Sequence, residues 1–456
     1  MQSLTKMFAR KSQTAIYAAF IAAWSVCLVS CSKEAREAPA DSSATTAREL
    51  PVEVAKPLDE QIADLCKSGD FSGAAKLAGS VKDKNLREKI LAQLRPGLSK
   101  SLDSALDSCD FKTAVGAADL LSLLSPSAEE KSLSEKFFKR YSALYADKRF
   151  GKLVELYSLA SPKFLSGVRC DEILQSAYAN LGETGKSLEL AEKNLKAQPG
   201  SAEALDAYVN SKIAAGRAGE ALSELRGSFV QKDKYNPFYR QLAARAAAAA
   251  GDIDGAAEEY SQAAYYSKGK ISIIVECGNF FVRHSKKENY EKMLIPASRI
   301  NRDSPMETVV AYGYVQALGY TKGSMRNFQL LSNVIENAPL FIDAHFLYAD
   351  WLLETGVKDD AVQALGLLQS LSLRFKEKND CVLIKILEIS SRNAEFEKIA
   401  KDTLKQLESE FSEPGRGNFE DRKKLLELLD SLSKKDWPLS RECEILRAKI
   451  SEVKRR

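Results

Sequence analysis

An all-α chain of stacked helical hairpins is the fold class this sequence predicts, on three observations. Short polar turns recur at a nearly constant interval: 34 residues from Gly182 to Gly216 and 35 from Gly216 to Gly251. Only 13 prolines occur in 456 residues, and proline is what a helix interior tolerates least. Alternating apolar runs that would make half-buried strands are hard to find.

The chain opens on a targeting segment. Lys6, Arg10 and Lys11 form a positive region ahead of an apolar run from Thr14 to Val29. That run has signal-peptide length and is short for a spanning helix, which needs about 20 apolar residues. It ends in Leu28-Val29-Ser30-Cys31, which resembles a bacterial lipobox. The resemblance implies that residues 1–30 are a lipoprotein signal peptide and that Cys31 carries the lipid of the mature chain. Several acyl chains on one residue would hold it to a membrane, at about 0.8 kcal/mol per buried methylene. Ser32, standing where Asp would signal retention, points by analogy to the outer membrane without choosing a leaflet. Residues 31–57 are rich in Ala, Ser, Thr, Glu and Pro. They bury too little to fold alone and read as a disordered tether.

The hairpins follow. Turn signals stand at Gly69, Cys109, Lys148, Gly182, Gly216, Gly251, near Lys287, at Gly319, at Gly356 and at Asn393. Glycine there permits positive φ and ends the first helix. Small residues such as Ala221, Ala256 and Ala361 let two helices approach. Large ones such as Leu174, Tyr178, Tyr208, Leu225, Tyr260, Tyr348 and Leu365 fill the space between hairpins. Each hairpin has an apolar face too small to fold alone, so neighbours must stack.

The best-formed unit runs from Ala177 to Pro199. A Tyr-containing helix ends at Gly182, a polar turn follows, and a second helix stops before Pro199. This resembles the core of a tetratricopeptide repeat, whose period is 34 residues. The resemblance implies a right-handed α-solenoid of about nine to ten hairpins. Residues 58–165 would be degenerate hairpins and 166–405 the regular solenoid. Residues 406–456 read as capping helices. A loop signal at Pro414, Gly415 and Gly417 precedes two helices over 420–433 and 439–453, and the tail Lys454-Arg455-Arg456 suits a helix C-terminus.

Little in the chain points to catalysis. A formal net charge of +4 with 28% charged residues gives no reason to expect nucleic acid, which needs a concentrated basic face. Gly185-Lys186-Ser187 imitates the end of a phosphate-binding loop, but a helix precedes it and Asn180 stands where the first glycine belongs. Cys66, Cys109, Cys170, Cys277, Cys381 and Cys443 contain no close pair. They are expected as buried free thiols, with Cys66–Cys109 the only disulfide worth considering. His284 and His345 are too far apart for a local metal pair or a triad. No enzyme, cofactor or metal is expected.

The family resemblance implies that the first helix of each hairpin lines a concave groove that binds peptides. By position this assigns Asn180, Asn210, Arg245, Gln316, Phe346 and Asp350 to protein binding. The aromatic stretch from Tyr312 to Trp351 is expected to be mostly core, and any ring left on the groove would favour that half as an anchor. The expectation is a non-enzymatic, membrane-anchored lipoprotein of the bacterial envelope, in the periplasm or on the cell surface. It would be a scaffold for envelope proteins or peptides. The alternative is a surface-exposed adhesin for host or neighbouring-cell molecules.

Overall fold

The computed structural model describes residues 56–123, 126–301, 303–320, 325–375, 379–411 and 413–453. The signal segment, Cys31, most of the tether and the basic tail lie outside them. Every regular element among the described residues is helical, as the periodicity predicts. The fold is an all-α solenoid of helical hairpins. The chain divides into two compact units.

The smaller unit comprises the described part of Ala23–Leu144 together with Gly151–Gly167. Its helices are α1 (Leu58–Ser68), α2 (Phe71–Ser80), α3 (Lys84–Ser108) and α4 (Phe111–Ser122). It also contains most of α5 (Pro126–Ala146) and α6 (Phe150–Ala160). The turns are built from local chemistry. Gly69 and Cys109 take left-handed conformations with φ of 82° and 61°. The following Asp70 and Asp110 accept from the N–H of Gly73 and Thr113, satisfying a donor that a helix start leaves unpaired. The core is mainly aliphatic with aromatic rings set into it: Phe137 stacks on Phe164 with ring centres 4.9 Å apart, and Phe111 is 1% exposed.

The larger unit takes Tyr145–Phe150 and everything from Val168 onward. It runs α7 (Val168–Asn180), α8 (Thr184–Ala197), α9 (Ala202–Ala214), α10 (Ala218–Glu224, extended by a π turn to Val230), α11 (Pro237–Ala249) and α12 (Ile253–Tyr266). Then come α13 (Ile271–Arg283), α14 (Lys287–Leu294, ending in a 3-10 turn), α15 (Met306–Leu318), α16 (Met325–Asn337), α17 (Ile342–Glu354) and α18 (Lys358–Arg374). It ends with α19 (Asn379–Ser390), α20 (Glu397–Phe411), α21 (Phe419–Ser433) and α22 (Ser440–Val453). First helices start at 168, 202, 237, 271, 306, 342, 379 and 419, so the step is 34 to 35 residues at first and lengthens toward the C-terminus.

Left-handed turn residues recur at Gly182, Gly216, Gly251, Ser285 and Gly356. Gly319 departs from that pattern, with φ of −75°. It is small for another reason: a Cβ there would overlap the Tyr290 hydroxyl, which donates to the Val315 carbonyl at 2.6 Å. Ala221 and Ala256 are buried at the helix crossings, and Leu225, Tyr260 and Leu365 fill the space between. Such a large side chain contributes about 1.5–3 kcal/mol when fully buried. The C-terminal pair does more than extend the stack. Helix α21 packs against α19, the first helix of the preceding hairpin, and also against α7, the first full helix of the unit.

Candidate interaction surface

Successive first helices are tied by charge. Arg245 on α11 donates through Nη1 to Asp206 Oδ1 on α9 at 2.7 Å. Its Nε and Nη2 donate to the two Glu276 oxygens on α13, each at 2.6 Å. Glu276 also accepts from Tyr260 Oη at 2.8 Å and from Gln241 Nε2 at 2.5 Å. Burial works against the Arg245 charge, but the Glu276 hydrogen bonds and charge outweigh it and hold the guanidinium above its ordinary pKa. Burial raises the Asp206 pKa, with Arg245 opposing. The Tyr260 phenol is pushed up by burial and then by the Glu276 charge. The three ladder residues remain partly exposed, between 25% and 40%, so the row is both a structural tie and a surface.

The remaining assigned residues fall around this row. Asn210 is exposed on α9, one turn after Asp206. Asp350 on α17 pairs with Lys385 on α19 at 2.7 Å. Phe346 is half-buried against the core beneath those two helices. Gln316 lines a cleft of about 220 Å³ with Tyr320, Arg326, Asn327 and Asn333, between α15 and α16. Tyr320 is 46% exposed there, whereas Tyr312, Tyr314 and Trp351 are core, as the stretch predicts.

Asn180 has a different setting. It is 7% exposed, donates to the Ser176 carbonyl at 2.9 Å, and accepts from Asn418 Nδ2 at 2.5 Å. It belongs to a seam where the start of α21 meets the start of the unit. Phe419 lies over Gly182, 3.0 Å from where a Cβ would stand. Arg149 forms a two-toothed contact with Glu413, with Nη2 at 2.8 Å from Oε1, and Gly417 N donates to the Lys148 carbonyl at 3.2 Å. Lys148 Nζ lies 2.8 Å from Oδ2 of Asp380, whose side chain is 1% exposed. Among the described residues no donor is aligned on either Asp380 oxygen, and charge holds the pair with Lys148. Arg422 donates to the Arg416 carbonyl and lies over the Phe411 ring. Burial lowers its pKa to about 10, against the pull of Asp380. The Pro414, Gly415 and Gly417 loop signal marks this segment in the sequence. Its partners, some 240 to 270 residues away, leave no local trace.

The residues that imitate a phosphate loop are used otherwise. Ser187 is buried, its hydroxyl 3.0 Å from that of Ser211 and 3.3 Å from Gln175 Nε2. Lys186 pairs with Glu183 at 3.2 Å and covers the Tyr178 ring. None of the six cysteines is placed in a disulfide. His345 is buried with Nε2 at 3.0 Å from the Pro339 carbonyl, while the His284 ring lies tilted against Phe280 with centres 4.5 Å apart. Among the described residues no group of three His, Cys, Asp or Glu is placed to hold a metal. None of their helices is long and apolar enough to cross a membrane.

No family model matches the chain, and no curated protein matches it. Among solved structures, Naa15/Naa10 bound to HypK-THB is similar at 15% identity over 87% of this chain and 72% of that one, with a TM-score of 0.36. The human IFIT1 dimer with PPP-AAAA is similar at 15% identity, 87% and 92% coverage, and 0.36. The Cut9–Hcn1 assembly of the APC/C is similar at 13%, 87% and 82%, and 0.33. Likeness at this level carries no functional meaning, and the solenoid assignment rests on the helices themselves.

Proposed function

We propose that the chain is a non-enzymatic lipoprotein of the bacterial envelope. It holds protein or peptide partners along the first-helix face of its solenoid. The observation that carries this reading is the partly exposed row Asp206, Arg245 and Glu276, with the further pair Asp350 and the more buried Lys385 on later first helices. Alternating charge on rigid helices selects partners by complementarity more than by raw affinity. Asn210 and the Gln316 cleft lie along the same series of helices and offer uncharged hydrogen-bonding groups. The membrane anchor rests on Leu28-Val29-Ser30-Cys31, and the outer membrane on Ser32.

Photo-crosslinkers placed at Asn210 and at Gln316 in the full chain, expressed in its own cells, test the scaffold. One partner should be captured from both positions and not from Leu373, a 79% exposed residue on the second helix α18. Capture no better than at Leu373 overturns the scaffold reading. Separately, Cys31→Ala should move the protein out of the membrane fraction. Unchanged retention overturns the lipid anchor and leaves the scaffold standing.

A further inference from the structure

One surface of the larger unit lies apart from the charged row. The loop before α11 and the end of α12 meet through tyrosines. Tyr235 is 57% and Tyr265 80% exposed. Tyr266, half-buried, joins them, with ring centres 5.2 Å from Tyr235 and 5.0 Å from Tyr265. Lys232 and Lys234 precede the first tyrosine, and Lys268 and Lys270 follow the other two; all four are exposed. Lys234 Nζ lies 5.0 Å over the Tyr235 ring. No ion pair engages these four lysines among the described residues. The acid within the two segments, Asp233, accepts from the Tyr235 N–H at 3.3 Å. Nearby Glu307 accepts from the Ile271 N–H. The turn that carries the second lysine pair is fixed, because Gly269 sits against Thr308 at the start of α15.

We infer that Tyr235, Tyr265, Tyr266 and the four lysines form a contact surface for an anionic lipid bilayer. Tyrosine has an apolar body and a polar tip and partitions to the headgroup level of a membrane. Lysine lays its stem along apolar surface and sends its ammonium to the phosphates. A cluster of lysines gains from the negative potential of such a surface within one Debye length, so the contact weakens with salt. Single-stranded nucleic acid also seeks basic and aromatic residues, but it needs open ring faces on which bases stack. Here the rings meet edge to face, at 71° and 81°, and Lys234 covers a face of Tyr235. The surface works whether or not Cys31 carries lipid, and it does not involve the proposed partner face.

Hydrogen exchange of the full chain reads the two segments directly. It is run with phosphatidylcholine vesicles and with vesicles that also contain phosphatidylglycerol. Residues 231–236 and 265–270 should gain protection on the anionic vesicles alone and lose it at high salt. On a Cys31→Ala background, which removes the lipid anchor, Lys268→Glu with Lys270→Glu should weaken partition by at least about tenfold, and Tyr265→Ser should lower it less. These side chains are exposed, so the thermal transition should not move. Unchanged partition of the double variant, or no protection in these segments, overturns the inference. Tighter protection of the same segments by a single-stranded oligonucleotide than by the vesicles also overturns it.

Discussion

The middle of the larger unit and its closing seam use charge in different ways. In the middle, Arg245 joins Asp206 and Glu276, which lie 39 and 31 residues away in the chain. Each tie spans one hairpin step and stays partly wet. In the seam, Arg149 meets Glu413 and Asn418 meets Asn180, at separations of 264 and 238 residues, and Asp380 is almost fully buried. An open solenoid is a row of nearest-neighbour contacts and its stability adds hairpin by hairpin. The seam breaks that rule, because it makes the first and last hairpins of the unit depend on each other.

The largest test of this contrast is Lys148→Met, which leaves Asp380 buried without its 2.8 Å ammonium partner but still under the influence of Arg422. Losing one partner of a buried pair costs about 3–5 kcal/mol, and Arg422 should hold the loss near the lower figure. Chemical denaturation measures it, and Lys148→Met with Asp380→Leu should recover most of it. Equal loss in the double variant would mean that the pair is not what holds the seam.

Next in size is a matched pair of glycines. Gly182 and Gly216 share a φ of 76°, so an alanine at either pays the left-handed cost of about 1–2 kcal/mol. At Gly216 the space is open, whereas at Gly182 the new methyl meets Phe419. Gly182→Ala should therefore cost about 1 kcal/mol more than Gly216→Ala. Equal melting temperatures for the two would show that α21 does not rest on that turn.

The smallest effect is a pH dependence in α17, between the two regions. Burial lowers the His345 pKa below its ordinary 6.5, with the Pro339 carbonyl partly opposing. The unfolded chain then takes up the proton first as pH falls. Stability should be level above about pH 6.5 and decline below it, toward the folded value. Urea midpoints from about pH 7.5 to 5.5 give the slope, and His345→Gln should flatten it. If probes in the middle and in the seam report one shared midpoint, the seam has made the unit cooperative. Separate midpoints would restore the nearest-neighbour picture.

Much of the fold is legible in short stretches. Turn residues at Gly182, Gly216, Gly251 and Gly356 take the left-handed conformation that their glycines suggest. The two C-terminal helices fall within a residue of their expected starts. Gly319 misleads, because its smallness answers to Tyr290 on the neighbouring helix and not to its own turn. The candidate site is legible only in part. Arg245 and Asp350 do stand on first helices, but their ion-pair partners lie one hairpin away. Asn180 looks like any other position on such a helix until Asn418 arrives to cover it.

Hairpin type, turn position, apolar faces and helix ends are written in the order of residues, since each depends on neighbours within about four positions along a helix. The join between α21 and α7 is not, because it depends on small angles between hairpins that accumulate through the unit. No single turn encodes that sum. Only the folded chain brings Asn418 to Asn180 and Glu413 to Arg149, and so decides which polar residues of the first helices stay open to a partner.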